Sequence, residues 1–296
     1  MSLCHVASIV AVALHAQWSD YTSKQVDARV ERLRAAGEPV LVEDFNRLRA
    51  ARGPTEADAL AGAIAGIKRK PGEAMGALDD CEQVVPPLTA WEAGKIKQAV
   101  ADHAAELAAL DKAAAAKSVA MTRPLSSPLF DIKMPGLSEA RAAAGLTKYR
   151  VMLLAHEGDG RGALAAADAW PALAEHAASG EFLVGSLVAT GIRALEADTL
   201  LRVAPTLPIG DKDRAAPPAT VRKTIDRLMD IGPAREEFAR ALRAERMMQF
   251  DAFRGGVGSG MAFEPFSSMT PAQRYAFAPL LNANASTCLD LSLIHI

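Results

Sequence analysis

Apolar residues recur every three or four positions along much of this chain, the spacing that places side chains on one face of an α-helix. The clearest row falls between Thr89 and Ser118, where one long helix is predicted; it contains Trp91, Ile96, Val100, Leu107 and Leu110. No stretch alternates apolar and polar residues, or gathers enough β-branched residues, to predict a sheet. The pattern therefore predicts an all-α fold, a bundle of helical hairpins, and leaves open whether the hairpins are repeat-like.

Two proline-rich connectors interrupt the predicted helices. Proline removes a backbone donor and clashes with the preceding helical turn, so residues 124–136 and 205–218 are predicted to be irregular. The first connector separates a predicted N-terminal helical region, 19–123, from a predicted C-terminal helical bundle, 137–290.

Within the C-terminal bundle, a Gly-Asp-Gly turn at residues 158–160 joins two helices of a predicted hairpin, and Pro171 is predicted to kink or restart the second of them. Residues 181–203 form the most apolar helix of this half, so we expect it at the centre of the bundle. Its packed face is predicted to carry Val184, Leu187, Val188, Gly191 and Leu195, with Gly185, Ala189 and Ala194 allowing neighbours to approach closely. Two further helices are predicted over 219–231 and 233–253.

The first residues of the chain are apolar. The run from Leu3 to Trp18 carries no formal charge, and Asp20 follows it. A helix that spans a membrane needs about 20 mostly apolar residues, whereas this run is shorter and contains His5 and His15. Residues 1–18 are interpreted either as a membrane anchor or signal-like segment, or as a buried first helix.

The last six residues, 291–296, resemble the translation of an adapter used in preparing DNA libraries. Foreign segments of this kind are excluded from fold reasoning. We expect this tail to pack on nothing, and we expect the natural chain to continue beyond it.

Composition narrows the class of protein. Hydrophobic residues make up 50% of the 296 residues, charged residues 23% and aromatic residues 5%, as in a soluble globular chain. The 33 basic and 35 acidic residues give a net charge of −2, without the basic surplus of a nucleic-acid-binding protein. Cys4, Cys81 and Cys288 lack paired spacing, so neither a disulfide framework nor a cysteine zinc site is predicted.

Two local patterns suggest phosphate chemistry but lack the context that it needs. Residues 255–260 are rich in glycine, but Met261 and Ala262 stand where a P-loop has Lys and Ser or Thr. Residues 129–136, around Asp131, are similar to the phospho-acceptor segment of receiver domains, but a proline-rich segment precedes them where a buried strand is required. We therefore predict no cofactor, no ATP or NAD at the glycine loop and no nucleic-acid partner.

Candidate catalytic and metal-binding residues are few. His103, His156 and His176 never fall at the spacing of metal ligands on a helix, so no metal site is predicted. The acidic pair Asp79-Asp80 has no partner nearby in the sequence that would fix its geometry for acid-base work. The sequence thus indicates no catalytic residue.

One charged set on a predicted helix stands out from the remaining surface charges. Arg240, Arg243, Glu245 and Arg246 are spaced so that Glu245 can pair with an arginine on the same helix. Such pairs contribute a few tenths of a kcal/mol when exposed. We interpret the four as structural or interaction charges, with a structural role favoured.

Three segments resemble an uncharacterised bacterial family of N-terminally anchored α-helical proteins. They are Arg32-Leu33-Arg34-Ala35-Ala36-Gly37-Glu38-Pro39, the turn Glu157-Gly158-Asp159 with Ala163-Leu164, and Ala241-Leu242-Arg243-Ala244-Glu245-Arg246. The resemblance implies a bacterial cell-envelope protein that is membrane-anchored or exported, and it transfers no activity. The same turn resembles half of the signature of a tetratricopeptide hairpin.

These observations favour a non-catalytic scaffold or protein-interaction protein, with protein as its partner, bound through a groove between helices. Residues 3–18 add a predicted membrane contact, and the alternative location is cytoplasmic. The alternative function is an enzyme or small-ligand-binding helical protein whose site is assembled from residues far apart in sequence. An open apolar groove supports the first function, and a cavity with convergent polar residues supports the second.

Overall fold

The computed structural model describes residues 3–69, 84–127, 129, 136–254 and 271–291. These residues form α1 (Leu3–Ala35), α2 (Val42–Ala50), α3 (Ala57–Arg69), α4 (Ala90–Asp102), α5 (Ala104–Ala114), α6 (Leu137–His156), α7 (Gly160–Ala167), α8 (Ala169–Ala178), α9 (Leu183–Val203), α10 (Pro218–Met229), α11 (Gly232–Arg254) and α12 (Pro271–Leu291). In this part of the chain no strand is present, and an isolated bridge joins Ile209 to Ala216. The predicted all-α fold is confirmed.

Several helix ends lie where local chemistry predicts them. The Thr89 hydroxyl accepts a hydrogen bond from the backbone N–H of Glu92 at 3.2 Å, and the Glu92 carboxylate accepts one from the N–H of Thr89 at 2.7 Å. This reciprocal pair is a capping box and starts α4. The expected restart at Pro171 is confirmed, because α7 ends at Ala167 and α8 begins at Ala169.

The single helix predicted from Thr89 to Ser118 is wrong, because two helices, α4 and α5, occupy this stretch. They meet at His103, whose backbone leaves the helical region with φ −117° and ψ 21°. The buried His103 ring places Nδ1 2.9 Å from the carbonyl oxygen of Ala99. Of the predicted apolar row, Ile96 on α4 and Leu107 on α5 are buried, whereas Trp91 in the first turn of α4 is 51% exposed.

The chain forms two compact units that differ from the predicted division at residues 124–136. Unit 1 comprises residues 1–51, 123–133 and 239–296, and unit 2 comprises 52–122 and 134–238. Unit 1 therefore combines the two ends of the chain. Pairing between distant helices depends on how whole surfaces fit, and the local spacing of apolar residues does not reveal it.

Unit 1 is held by packing of α1 on α12. Its buried core takes side chains from both helices, from the segment after α1 and from α11: Val26, Val30, Leu33, Val40, Phe250, Ala285 and Leu289. Further towards the N-terminus α1 leaves Ile9, Val12 and Leu14 exposed.

Unit 2 is built around α6, which contacts α3, α4, α7, α8 and α9. The indole of Trp170 on α8 is fully buried, and its Nε1 donates a hydrogen bond to the carbonyl oxygen of Ala144 on α6 at 3.1 Å. Many of the buried positions around it are alanines, which lets the helix backbones lie close together. The centre of unit 2 is thus α6.

The predicted central position of α9 is wrong, and its predicted packed face is correct only in part. Val188 is buried and Leu195 is partly buried, as predicted, but Val184 and Leu187 are 48% and 56% exposed and the buried face includes Ala189 and Ile192. The predicted close approach at Gly185 is confirmed: a Cβ there would lie 2.4 Å from the carbonyl oxygen of Ala177 on α8. The face of α9 that packs is thus the one on which Gly185 allows close approach.

Among the described helices, none combines the length and the apolar character that a bilayer crossing demands. The membrane location of residues 1–18 therefore stays a prediction. The glycine loop at 255–260, Asp79-Asp80, Asp131 and the tail residues 292–296 lie outside the described residues.

The two tryptophans of unit 2 allow a matched stability test. Trp170→Ala should lower the free energy of unfolding of unit 2 by about 3–5 kcal/mol, because it removes a large buried side chain and leaves a cavity. Trp91→Ala, at an exposed position, should change it by less than about 0.5 kcal/mol. Urea unfolding followed by circular dichroism at the helical band measures both, and equal losses in the two variants would contradict the described packing of α8 on α6.

Candidate functional site

An open apolar groove of about 510 Å³ lies along α10 in unit 2. Ile209, from the connector before α10, forms one side of it, and Pro218, Val221 and Ile225 form the other. The charged side chains of Arg222 and Asp226 also line the groove. Apolar residues at positions 218, 221, 225 and 229 follow helical spacing, so α10 presents a continuous apolar row.

Only one edge of this apolar row packs on the core of unit 2. Val221 and Leu228 are partly buried against the core, whereas Ile225 is 53% exposed and Met229 is 76% exposed. Ile209 and Ile231 are also more than half exposed. A contiguous patch of exposed apolar side chains is typical of an interaction site.

An ion pair buried at one end fixes α10 on the bundle. The Arg227 guanidinium lies 2.7 Å from the Glu196 carboxylate of α9 and 3.8 Å from that of Asp168. Burial raises the pKa of Glu196, and the neighbouring Arg227 opposes this rise. Removing one member of such a pair leaves an uncompensated charge, so the pair fixes the orientation of α10 strongly.

The opposite wall of the groove is held by the turn that opens α7. The backbone N–H of Ala216 donates to the carbonyl oxygen of Pro208 at 2.8 Å, and the N–H of Gly210 donates to that of Ala216 at 3.0 Å. Gly160 lies directly beneath this loop: a Cβ there would be 2.5 Å from the Pro208 oxygen. The Gly-Asp-Gly turn therefore packs against the proline-rich connector and fixes the position of Ile209, which lies in that connector.

The groove has two charged side chains, Arg222 and Asp226, that are available to a partner. Among the described residues, neither the Arg222 nor the Asp226 side chain forms an ion pair or a hydrogen bond. They stand one helical turn apart on α10 and both are exposed. The groove thus offers an apolar floor with one available positive and one available negative group.

The charged set named from the sequence lies elsewhere, on α11 in unit 1. The buried Arg246 guanidinium lies 2.8 Å from the Glu38 carboxylate and donates to the Pro39 carbonyl oxygen at 3.0 Å. Arg240, Arg243 and Glu245 are half-buried. None of the four lines the groove or the cavity described next.

Unit 1 contains a half-open cavity of about 380 Å³, which sequence reasoning did not find. Its walls come from residues 40–43 and 125–127 and from α11. Asn46 fixes one wall, since its side chain donates to the carbonyl oxygen of Leu125 at 2.9 Å and accepts from its N–H at 2.7 Å. Asp251 accepts hydrogen bonds from Ser127 Oγ and the Leu129 N–H, each at 3.0 Å. No local sequence motif indicates such a site, because its residues come from three separate segments.

Asp44 organises the segment that forms the other wall of this cavity. Its carboxylate accepts hydrogen bonds from the N–H groups of Val40 and Leu41 at 3.1 and 3.0 Å and from two Arg34 nitrogens at 3.1 Å. Burial raises the pKa of Asp44, but these hydrogen bonds outweigh it and hold the pKa below its usual value. This carboxylate is ionised and committed to structure.

Polar groups at the end of α8 tie the segment after α5 to unit 2. Ser118 Oγ donates to the Glu175 carboxylate at 2.6 Å, and the N–H of Met121 donates to Ser179 Oγ at 2.9 Å. The His176 ring places Nδ1 3.2 Å from the Val119 carbonyl oxygen, and burial lowers the pKa of His176. These contacts are structural. Across the described part of the chain no three potential metal ligands converge.

Comparisons with models of known protein families, with curated proteins and with solved structures found no match to this chain. The candidate site therefore rests on geometry alone. The sequence did show the apolar spacing of α10, but that spacing ordinarily indicates the face that a helix turns towards its own core.

Replacing Gly160 tests how the groove is held. In Gly160→Ala the new methyl group would meet backbone atoms of the connector, so we expect a loss of about 1–3 kcal/mol in the stability of unit 2. Hydrogen exchange measured by mass spectrometry should become faster in residues 207–217. Gly191→Ala is the control, since a Cβ there meets nothing within 4 Å; it should leave exchange in 207–217 unchanged. Unchanged exchange in Gly160→Ala would contradict the contact.

Proposed function

We propose that this chain is a helical protein-interaction module whose α10 groove binds an amphipathic helix of a protein partner. The observation that supports this function is the open apolar groove, in which Ile225 faces solvent beside two charges that the fold does not use, with the exposed Met229 one turn further along α10. Laying the apolar face of a helix into such a groove is a recurrent mode of peptide recognition.

The groove defines the chemistry of the helix that it accepts. Apolar side chains at i, i+3 or i+4, and i+7 match the row formed by Val221, Ile225 and Met229. An acidic side chain on the partner would face Arg222, and a basic one would face Asp226. Burying one aliphatic side chain contributes about 1.5–3 kcal/mol, and association costs several kcal/mol, so the expected affinity is modest.

The charged groups with displaced pKa values favour binding over catalysis. Asp44, His176 and Glu196 are each engaged with Arg34, with a backbone carbonyl or with Arg227, and none of them lines the groove. A catalytic acid or base needs access to a substrate proton. Their shifts are explained by burial and structural pairing.

The proposed location is the bacterial cell envelope, with residues 3–18 contacting the membrane. The family resemblance motivates this proposal, and the exposed Ile9, Val12 and Leu14 of α1 support it because apolar side chains in solvent gain from contact with lipid. The hairpin of α6 and α7 is proposed to be repeat-like, although α7, at 8 residues, is short for a repeat helix.

A second candidate function, small-ligand binding, is favoured by the cavity of unit 1. Its volume lies within the range of small-molecule pockets, and its lining combines apolar side chains with the carboxylates of Glu43 and Asp251. A ligand with an apolar body and an amine fits this lining. Phenethylamine should bind saturably in equilibrium dialysis and several-fold more weakly to Glu43→Gln, whereas Asp20→Asn should bind as the unaltered chain does. Absence of saturable binding would remove this candidate.

A labelled peptide tests the proposed interaction function. The probe is a fluorescent amphipathic helix with Leu at the i, i+3, i+4 and i+7 positions and with Glu and Lys beside them. Fluorescence anisotropy at low protein concentration should show saturable binding that Ile225→Asp weakens at least about tenfold, since a charge then has to be buried.

Leu187→Asp is the matched control for this experiment, because Leu187 is 56% exposed and Ile225 is 53% exposed, and Leu187 lies on α9 outside the groove. It should leave peptide binding unchanged. Equal weakening in both variants, or no binding to the unaltered chain, would overturn the proposed function.

A further inference from the structure

We propose that the helix bound in the α10 groove is α10 of a second copy of this chain, so that the protein forms a two-fold symmetric, antiparallel dimer through this face. The inference rests on the proposed function, because it names the partner of the same groove. It is supported by the arrangement of charges on α10, which is complementary to itself.

The charges set the register of the pair. In a two-fold antiparallel pair of helices, each residue of one helix lies opposite a fixed counterpart on the other. Arg222 and Asp226 stand on the same flank of α10, one turn apart and without an ion-pair partner among the described residues. Two-fold symmetry about the level of Thr224 therefore brings Arg222 of each copy opposite Asp226 of the other. One symmetric contact forms two ion pairs.

The same register also interdigitates the apolar side chains. With Arg222 of the first copy opposite Asp226 of the second, Ile225 of the second copy lies level with residue 223 of the first. It therefore fits between Val221 and Ile225 of the first copy. Apolar side chains from the two helices then alternate about every two residues along the seam, which is about 3 Å at the helical rise. Met229 extends the row at each end. Charge pairing and apolar packing thus each favour the same arrangement of the two helices.

The size of the seam sets the expected strength. α10 has 12 residues, so a single helix pair buries less than a standard interface, and the additional exposed residues Ile209 and Ile231 enlarge the seam only at its margins. A reversible dimer in the micromolar range is expected. Its dissociation constant should increase with ionic strength, since exposed ion pairs are screened by salt.

Reciprocal charge reversal tests the proposed pairing. Sedimentation equilibrium of the full chain should show a reversible monomer–dimer equilibrium. Arg222→Asp places Asp opposite Asp in both contacts, and Asp226→Arg places Arg opposite Arg, so each variant alone should dimerise at least about tenfold more weakly. An equimolar mixture restores opposite charges in both contacts, so a heterodimer should form when one variant is fluorescently labelled.

Lys223→Asp is the control with the same change in net charge as Arg222→Asp. Lys223 lies about 100° further around the helix than Arg222, away from the seam, so dimerisation should persist in this variant. Circular dichroism of each variant shows whether the helical fold is retained, and the heterodimer provides a gain of association that misfolding cannot produce.

The outcomes separate this inference from the proposed function. A chain that stays monomeric but binds the amphipathic peptide at Ile225 overturns the second copy as partner and leaves the interaction function standing. A dimer that is insensitive to Arg222→Asp and Asp226→Arg also overturns the inference, because it uses another face. Loss of both dimerisation and peptide binding in the unaltered chain overturns both proposals.

Discussion

Close approach of backbones at glycine and alanine positions is the constraint on which unit 2 depends. α9 lies on α8 where Gly185 leaves room for the Ala177 carbonyl, and the proline-rich connector lies on the start of α7 where Gly160 leaves room for the Pro208 carbonyl. Close backbones maximise dispersion contacts between small side chains. Leu187 and Ile209 lie outside these contacts and project outward. The exposed apolar surface follows from how the core is packed.

Buried charges complement this packing by joining segments that are distant in sequence. Asp44 collects the N–H groups that precede α2 together with Arg34 at the end of α1, and Glu196 ties α9 to Arg227 on α10. Each charge is desolvated, so its partner must be present for the charged form to be tolerated. Such pairs specify one arrangement of helices where alanine surfaces alone would allow several.

Local sequence signals predicted the helices well and their neighbours poorly. Thr89 with Glu92 and Pro171 act through contacts within one turn of helix, so their effects are visible in the sequence. Part of the face of α9 was mispredicted because Val184 and Leu187 outweigh Gly185 on any hydrophobicity scale, although the glycine decides which backbone fits. The α10 groove of unit 2 and the cavity of unit 1 depend on segments that folding brings together. The spacing of residues along the chain therefore does not predict them.

The orientation of α10 links fold and function. Its helix could bury Ile225 and Met229 only by rotating about its axis, and rotation would withdraw Arg227 from Glu196 at 2.7 Å. Breaking a buried ion pair costs about 3–5 kcal/mol, and the same rotation would expose Val221 and Leu228, which pack on the core. Together these losses offset the gain of about 1.5–3 kcal/mol from burying each of Ile225 and Met229. The ion pair therefore holds the apolar row outward against the hydrophobic effect. When a second apolar surface covers α10 in this orientation, its exposed apolar side chains become buried. The free energy gained by that burial is the physical basis of the interaction proposed for the groove.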